Sequence, residues 1–501
     1  MMKPFFILLI FLAFPAFCFS QVIIPPIEKN NFQKVTSYDE LSAYIQQLDS
    51  QSDLLKVEKI GQSVKWRDLH ALTFSSTEFG KDPSKIKVLV FAQQHGNEQS
   101  GKEGALLLAR ELLKPENKYL FEKIDFALVP QVNPDGSEAN KRRNANDMDL
   151  NRNHLILTEP ETLALHAFFD KYLFEVTMDV HEYSPYSEEW KKYGYRKNSD
   201  ITVGATTNQN VSKKIRKLSN EGYLPYIMKY LNDRRFSSFE YCPGGPPEVE
   251  YIRHSTFDIN DGRQSLGIQN TFSFIQEGMN GKDDSVENLQ RRAEGQMTGM
   301  RGLLEYVYHN KVKIKSLVGA EREKLISGIS GEKISVQSEH VRNGKKLQIP
   351  LLSYYSGNDS VVTVNDYRPV VKSLYDVKKP VGYLIPVDWQ PILLWASCSQ
   401  SLKLIPFKNT GEYKIEVYMI NRIDTIDFEG DRVANPDLDV REFSITIKDH
   451  DYFFLSTAQL KGNMIMLALE PKSMLGLATY AKYAGLLKSW ESFPVLRVVE
   501  K

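Results

Sequence analysis

The sequence is poor in cysteine and in long apolar runs, and charges of neither sign are in excess. Its 501 residues include 3 cysteines, too few for a disulfide framework. Lysine and arginine together number 63, as do aspartate and glutamate, so bulk charge gives no attraction to nucleic acid. No segment beyond the N-terminus reaches the ~20 apolar residues that span a bilayer. Internal repeats and low-complexity tracts are also missing from the sequence. We therefore expect a globular protein with no nucleic-acid partner and no stable membrane span.

The first twenty residues have the composition of a secretory signal peptide. Lys3 precedes an apolar run over Phe5–Phe14, and a shorter cluster, Pro15–Ser20, follows it. Because this run is shorter than a membrane span, we expect cleavage after Ser20 and a secreted or periplasmic protein. Cleavage would leave Cys242 and Cys398, either bonded to each other or free. It would also leave one more acidic than basic residue, so the mature chain is nearly neutral.

From Thr36 onward, strands alternate with helices. Ser37 and Glu40 have the capping-box spacing, in which each side chain binds the other residue's backbone N–H, and apolar residues follow at helical spacing. Strands alternating with helices predict an α/β fold with a mixed central sheet and helices on both faces. The strands expected in this part of the chain cover Lys56–Ile60, Leu69–Ser75, Val88–Ala92, Ile124–Val132 and Val176–Val180.

The pattern changes after a predicted helix over Leu289–Tyr308. Runs at Tyr413–Met419 and Phe443–Lys448 alternate apolar and polar residues, which is typical of half-buried antiparallel strands. The pairs Asn343-Gly344 and Lys461-Gly462 fit hairpin turns. A mature chain of about 480 residues exceeds a single typical core. We therefore predict a signal peptide over residues 1–20, a catalytic domain over 21–312, and a smaller β-rich domain over 313–501 that is structural or shapes the substrate site.

An apolar strand ends within the stretch Val88–Glu98. The short turn that follows it carries His95 and Glu98, three residues apart. An imidazole and a carboxylate placed in this way can converge on one cation, and zinc accepts this mixed N/O set. Catalytic zinc sites commonly have three protein ligands and a fourth position for water. A histidine and a glutamate at this spacing also occur together by chance on protein surfaces, so the pair alone does not identify a site.

Further polar motifs follow in a specific order. Asn133–Gly136 closes one strand, and the chain then continues through Arg142-Arg143-Asn144 and through Asp149–Asn153. His181 follows the strand Val176–Val180, and Glu277 ends the run Phe272–Glu277. Each piece is common, and each has a plain alternative, such as a solvated basic turn or a core histidine. The order of the whole set is much more specific.

In that order the motifs resemble those of the zinc metallocarboxypeptidases of the carboxypeptidase A/B type, over about residues 36 to 310. The resemblance implies one Zn²⁺ ion bound by His95, Glu98 and His181. It also implies that Asp149 orients the first histidine, as carboxylates commonly do for metal-bound imidazoles.

The same resemblance implies roles for four further residues and an activity. Glu277 would be the catalytic base and Arg142 would stabilise the oxyanion, while Asn151 and Arg152 would grip the terminal carboxylate of the substrate. A planar guanidinium matches the two oxygens of such a carboxylate. The implied function is a secreted zinc-dependent carboxypeptidase whose partner is a peptide with a free C-terminal carboxylate.

Some positions and functions stay open at this stage. Tyr251 is the candidate for the mobile tyrosine that covers the substrate in this family, and a packed aromatic is the alternative. Arg253 and Arg263 are further candidate substrate contacts, although solvated side chains are the expectation for both. The competing functions are a zinc endopeptidase or amidase acting on cell-wall stem peptides, and a non-catalytic binding protein of the same fold. An intact ligand set together with Glu277 favours the enzyme.

Overall fold

The computed structural model describes residues 23–282, 285–328, 332–408, 413–428, 430–445 and 450–500. The predicted signal peptide, residues 1–20, lies outside these ranges. Within them, no helix combines the length and the apolar character needed to cross a bilayer.

The part of the chain before residue 329 contains most of the helices. Its strands are β1 (Leu55–Gln62), β2 (Asp68–Phe74), β3 (Ile86–Ala92), β4 (Ile124–Val129), β5 (Val176–Tyr183), β6 (Tyr195–Lys197), β7 (Ile201–Ala205), β8 (Ser238–Glu240), β9 (Ile252–Arg253) and β10 (Phe272–Met279). Its α-helices are α1 (Pro26–Lys29), α2 (Tyr38–Ser50), α3 (Gln99–Leu112), α4 (Pro134–Glu138), α5 (Pro160–Tyr172), α6 (Glu188–Lys192), α7 (Lys213–Leu218), α8 (Leu224–Asn232), α9 (Gly262–Gly267) and α10 (Leu289–Ser327).

Eight of these strands form one mixed sheet in the order β1-β2-β4-β3-β5-β10-β7-β8. The four central strands, β4, β3, β5 and β10, run parallel to one another. Antiparallel pairing of β2 with β4 and of β7 with β10 makes the sheet mixed. The capping box predicted at Ser37 and Glu40 is present at the start of α2.

Both faces of the sheet are buried. Along β3, Val88 and Val90 belong to a core shared with α3, α8 and α10, whereas Leu89 and Phe91 belong to a second core shared with α5 and α9. Since successive side chains of a strand point to opposite faces, this alternation places helices on both sides of the sheet. The predicted α/β fold class is thereby confirmed.

The last helix of this part is longer than predicted. The expected helix ended at Tyr308, but α10 continues to Ser327, where Gly328 follows in the left-handed conformation (φ +61°). Glycine is absent between Tyr308 and Val318, and Ile314, Val318 and Leu325 are buried, so the apolar stripe carries the helix further. The predicted boundary between residues 312 and 313 therefore falls inside a helix, and the division into domains stays a prediction.

The part of the chain after residue 331 is rich in strands. They are β11 (Lys333–Val341), β12 (Leu347–Ser353), β13 (Asp359–Val364), β14 (Tyr367–Arg368), β15 (Val370–Lys378), β16 (Gly382–Pro386), β17 (Ile405–Pro406), β18 (Tyr413–Phe428), β19 (Asp431–Ile445), β20 (Tyr452–Ser456) and β21 (Leu496–Glu500). The α-helices here are α11 (Gln390–Leu394) and α12 (Gly462–Leu469). A six-stranded sheet has the order β17-β20-β16-β21-β18-β19.

Pairing in this part differs in places from the prediction. The predicted run Tyr413–Met419 lies in β18, and the run Phe443–Lys448 lies in β19 as far as Ile445, its last three residues being outside the described ranges. β18 and β19 form one long antiparallel hairpin. The predicted hairpin at Asn343-Gly344 is wrong, because β11 pairs with β15 and β12 pairs with β13 and β6. The predicted hairpin at Lys461-Gly462 is also wrong, because these residues begin α12, whose largely apolar sequence is buried. Pairing of β6 with β12 and of β9 with β14 interlaces the two parts of the chain.

The two cysteines in the described ranges are not bonded to each other. Cys242 is buried, whereas Cys398 is exposed, and both are free thiols.

Candidate metal centre and substrate cleft

The candidate metal ligands lie at one edge of the eight-stranded sheet, beyond the carboxyl ends of its central strands. β3 ends at Ala92, and Gln93, with a φ of +58°, turns the chain toward His95. β5 carries His181 and β10 carries Glu277, and these two residues pair in register. Open α/β sheets commonly bind ligands at this edge.

The turn that carries His95 packs against the Asn133–Gly136 segment. An ideal Cβ on Gly96 would lie 2.1 Å from the carbonyl carbon of Gly136, so only glycine permits this approach. Asn133 Nδ2 donates to Gln94 O at 3.0 Å. The segment follows a strand, as expected, and it begins α4, because Asn133 Oδ1 caps the helix by accepting from Gly136 N at 2.8 Å.

Three side chains that can bind a metal converge in a buried space. His95 Nδ1 lies 2.7 Å from Glu98 Oε1, and His181 Nδ1 lies 2.9 Å from Glu98 Oε2. The two Nδ1 atoms are 3.2 Å apart. Burial opposes ionisation of Glu98, yet the two histidines outweigh it and hold the pKa of this carboxyl well below its usual range.

The Nε2 atom of each imidazole contacts a carboxylate. His95 Nε2 lies 3.1 Å from Asp149 Oδ1, and His181 Nε2 lies 2.9 Å from Asp179 Oδ1. Since an ionised carboxylate only accepts hydrogen bonds, each Nε2 can donate to its carboxylate, and with a cation at the centre each Nδ1 would offer its lone pair to that cation. Two such nitrogens beside Glu98 provide the N/O donor set that zinc accepts. The residues therefore fit a zinc ion.

Arg142 reaches this cluster from the cleft. Its Nη2 lies 2.9 Å from Asp149 Oδ2, and its Nη1 lies 3.6 Å from Glu98 Oε1. Its side chain remains 46% exposed, so the guanidinium is also accessible from the cleft. Burial raises the pKa of Asp149, but His95, Arg142 and Arg152 together hold it well below its usual range. Asp149 is therefore a stable anion between the imidazole and the guanidinium.

Glu277 is buried beside the donor atoms and has an unusual acidity. Burial raises its pKa to about 7, with the Glu98 carboxylate adding to the rise and His181 and His95 opposing it. Perturbed carboxyl groups in clefts are commonly catalytic, because a base near neutral pKa can both take up and release a proton. The structure thus places Glu277 where the predicted base belongs, and the role itself stays a prediction.

Asn151 and Arg152 occupy the short loop after Asp149. Asn151 is buried, and its Oδ1 accepts from Gly262 N at 2.8 Å and from Gln94 Nε2 at 3.3 Å. Asn151 therefore ties this loop to α9 in addition to any contact with substrate. Arg152 is exposed at the cleft, with Nη1 donating to Asn151 O at 2.8 Å.

A cavity of about 750 Å³ joins these residues into one cleft. Tyr251 lies in its wall, with the guanidinium of Arg368 4.0 Å from the centre of its ring. The expectation that Arg253 and Arg263 are solvated is wrong, because both are buried and both line the cavity. Arg263 is neutralised within the protein, since its Nη2 lies 2.9 Å from Asp261 Oδ2.

Sequence reasoning missed Asp179 and Gln94. Gln94 Nε2 donates to both oxygens of Asp179, at 3.0 and 2.9 Å, and so holds the carboxylate that faces His181. A signal for Asp179 was present, because a residue two positions before His181 on the same strand lies on the same face. Gln94 had no comparable signal, since its contact crosses from one strand end to another.

Comparison with known proteins gives a consistent set of relatives. Residues 41–233 match the family model described as zinc carboxypeptidase, a range that includes the three candidate ligands but not Glu277. Carboxypeptidase 2 from Trichophyton rubrum is 22% identical over 466 residues, covering 88% of this chain and 85% of that protein. Carboxypeptidase D from Mus musculus is 26% identical over 240 residues, covering 41% of this chain and 17% of that protein.

Two solved carboxypeptidase structures are similar to this chain. A metallo-carboxypeptidase from Burkholderia cenocepacia aligns with a TM-score of 0.42 and 20% identity, over 54% of this chain and 68% of that one. Carboxypeptidase A from Helicoverpa armigera aligns with a TM-score of 0.43 and 18% identity, over 58% of this chain and 75% of that one.

Proposed function

We propose that the chain, which is similar to zinc carboxypeptidases, is a member of that family and removes single C-terminal residues from peptides in the cleft described above. The observation that carries the proposal is the buried convergence of His95 Nδ1, His181 Nδ1 and both oxygens of Glu98, next to Glu277. A binding protein would have no use for a base at this position, so this arrangement favours hydrolysis over the non-catalytic alternative.

His95, Glu98 and His181 would hold the zinc ion. When bound, zinc lowers the pKa of a water molecule and polarises a carbonyl group. Glu277 accepts a proton from the attacking water and later returns it to the amine that leaves. Burial raises its pKa to about 7 in the metal-free protein, which keeps this carboxyl basic enough to take up a proton even where a bound cation lowers that value.

Arg142 and the Asn151-Arg152 pair would position the substrate. Arg142 is already aligned by Asp149, so its guanidinium can donate to the negative charge that develops on the carbonyl oxygen. Arg152 offers a planar pair of donors to the terminal carboxylate. Its side chain is exposed, whereas that of Asn151 is buried. Because one loop carries both Asp149 and Arg152, the distance between the carboxylate subsite and the metal site is fixed.

We infer secretion from the composition of residues 1–20, which supports a secreted or periplasmic enzyme. N-terminal sequencing of the exported protein tests this inference. A first residue at Gln21 would agree with it, whereas an N-terminus at Met1 would contradict it.

The test of the exopeptidase proposal compares matched peptides with free-acid and amidated C-termini. Hydrogen bonds to charged groups contribute about 1.5–3 kcal/mol, so amidation should lower kcat/KM by roughly 10- to 150-fold. Arg152→Ala should remove most of this preference by slowing cleavage of the acid peptide alone. Arg143→Ala is the matched control, because Arg143 is exposed, contacts Asp147 and does not line the cleft.

Each alternative predicts a different product pattern. Equal cleavage of acid and amide peptides, or internal fragments as first products, would identify an endopeptidase or amidase on the same centre. A zinc-loaded protein that binds peptides without cleaving any of them would be the non-catalytic alternative.

A further inference from the structure

The tip of the hairpin formed by β18 and β19 reaches the substrate cleft. Asp427 and Gly430 line the same cavity as His95 and Glu277, although they lie at least 150 residues later in the chain than either. Among the described residues that follow Glu277, these are the two that line it. The β-rich part of the chain therefore supplies a piece of the cleft wall.

Contacts at its tip and along its length hold the hairpin in this position. The buried ring of Phe428 packs edge-on against the ring of Phe257, with 6.0 Å between their centres. Phe257 lies between Thr256 and Asp258, which both line the cavity. Further along the hairpin, Asn435 Oδ1 accepts a hydrogen bond from Gln337 Nε2 at 2.9 Å. The tip is thus fixed against the segment that forms the cleft, rather than placed there by a free loop.

Asp427 brings a carboxylate to this wall. Its side chain is exposed, and none of the ion pairs between described residues includes it. Arg432 lies opposite Asp427 in the hairpin register, but its Nε donates to Thr425 Oγ1 at 2.9 Å. Asp424, three residues earlier on the same strand, is instead paired with Arg422 at 2.8 Å. Residues three apart on a strand point to opposite faces, so Asp424 does not share the surroundings of Asp427. A carboxylate without a partner at a cleft attracts cationic groups.

We propose that Asp427 binds a cationic side chain of the substrate, on a residue N-terminal to the scissile bond. This inference rests on the proposed carboxypeptidase function. In the proposed function, the residue that is removed would lie toward Asn151 and Arg152, on the side of the cavity lined by the buried residues Asp261 and Arg263. Asp427 is exposed at the cavity, so it faces the part of the peptide that extends out of the cleft. Peptides with lysine or arginine in this part are the preferred substrates.

The test uses two series of free-acid peptides, identical except for lysine or its neutral analogue norleucine at each position upstream of the scissile bond. At one upstream position, lysine should raise kcat/KM by about two- to fivefold at low ionic strength, the size expected for an exposed charge pair. High ionic strength should reduce this preference. Asp427→Asn should abolish it and leave cleavage of the norleucine peptides unchanged.

Asp424→Asn is the matched control, because it removes the same charge from the same strand on the face away from the cleft, and it should retain the lysine preference. A preference that persists in Asp427→Asn, or one that is absent in the unmutated enzyme, would overturn the role of the hairpin. Failure to cleave any free-acid peptide would instead count against the proposed function. In that case, binding of the same peptides to Glu277→Gln tests the hairpin proposal without turnover. Lysine peptides should bind more tightly than norleucine peptides, and adding Asp427→Asn should remove this difference.

Discussion

Asp179→Asn removes one negative charge and one acceptor from behind His181. The wild-type carboxylate accepts from two donors at once, His181 Nε2 at 2.9 Å and Gln94 Nε2 at 2.9–3.0 Å. An asparagine of the same shape has one acceptor oxygen, so its amide group would face one of these donors. Asp179 is 1% exposed, and water cannot easily compensate for the loss.

The expected effect is a weaker metal site in a folded protein. Loss of a carboxylate behind a metal-bound histidine typically costs 10- to 100-fold in metal affinity or activity, which corresponds to about 1.4–2.7 kcal/mol. We expect the upper end of this range, because the substitution removes the charge and also leaves one buried donor unpaired. His181 would lose the fixed tautomer that turns Nδ1 toward Glu98.

The zinc affinities of the wild-type and Asp179→Asn proteins can be measured by competition with a chromophoric chelator. Thermal unfolding of both proteins in the presence of chelator shows whether the metal-free variant is folded. Asp125→Asn is the matched control. Asp125 is also fully buried and accepts from Ser75 Oγ at 2.6 Å and Gly80 N at 2.9 Å. It lies near the start of β4, at the opposite edge of the sheet, so its replacement should affect stability without weakening zinc binding.

The result that would refute this reasoning is a folded Asp179→Asn protein whose zinc affinity lies within twofold of wild type. A comparable loss of zinc affinity in Asp125→Asn would show that general destabilisation, rather than orientation of His181, explains the effect.

Two further positions give sharp expectations. Glu277→Gln should retain zinc but lower kcat by about 10²–10⁴-fold, since the amide cannot take up a proton; kcat within tenfold of wild type would assign the base elsewhere. In the wild-type enzyme the base must be ionised, so kcat/KM should fall as pH falls through the pKa of Glu277, and because a bound dication lowers the value of about 7, the midpoint should lie below pH 7; a flat profile down to acid denaturation would contradict this role. Gly96→Ala should cost about 1–3 kcal/mol of unfolding free energy and weaken zinc binding, because the new Cβ meets backbone atoms of α4 that cannot rotate away. Gly319→Ala is its control, since a Cβ there meets nothing within 4 Å and should stabilise α10 by up to about 1 kcal/mol in chemical denaturation; equal destabilisation by both would count against the close approach at Gly96.

Much of the fold and of the candidate site could be predicted where the signal is local. The buried strands β3 and β5 were predictable because hydrophobic periodicity depends on neighbouring residues. The pairing of Ser37 with Glu40 and the closeness of His95 to Glu98 follow from three-residue spacings. The expectation that His181 and Glu277 join them came from the order of motifs in a resembling family, since no spacing in the sequence places residues 95, 181 and 277 together.

Tertiary structure alone decided the features that depend on contacts distant in sequence. The parallel order β3-β5-β10 brings three separate strand ends to one edge of the sheet. The Asn133–Gly136 segment packs against Gly96 and so positions the turn that carries His95. Gln94 donates to Asp179, the carboxylate that faces His181. Burial of Arg263 and the arrival of Asp427 at the cleft also arise from packing. The physical reason is common to all of them: local sequence sets backbone propensity and the face on which a side chain lies, whereas its partners across the molecule depend on topology and on which apolar surfaces are buried together.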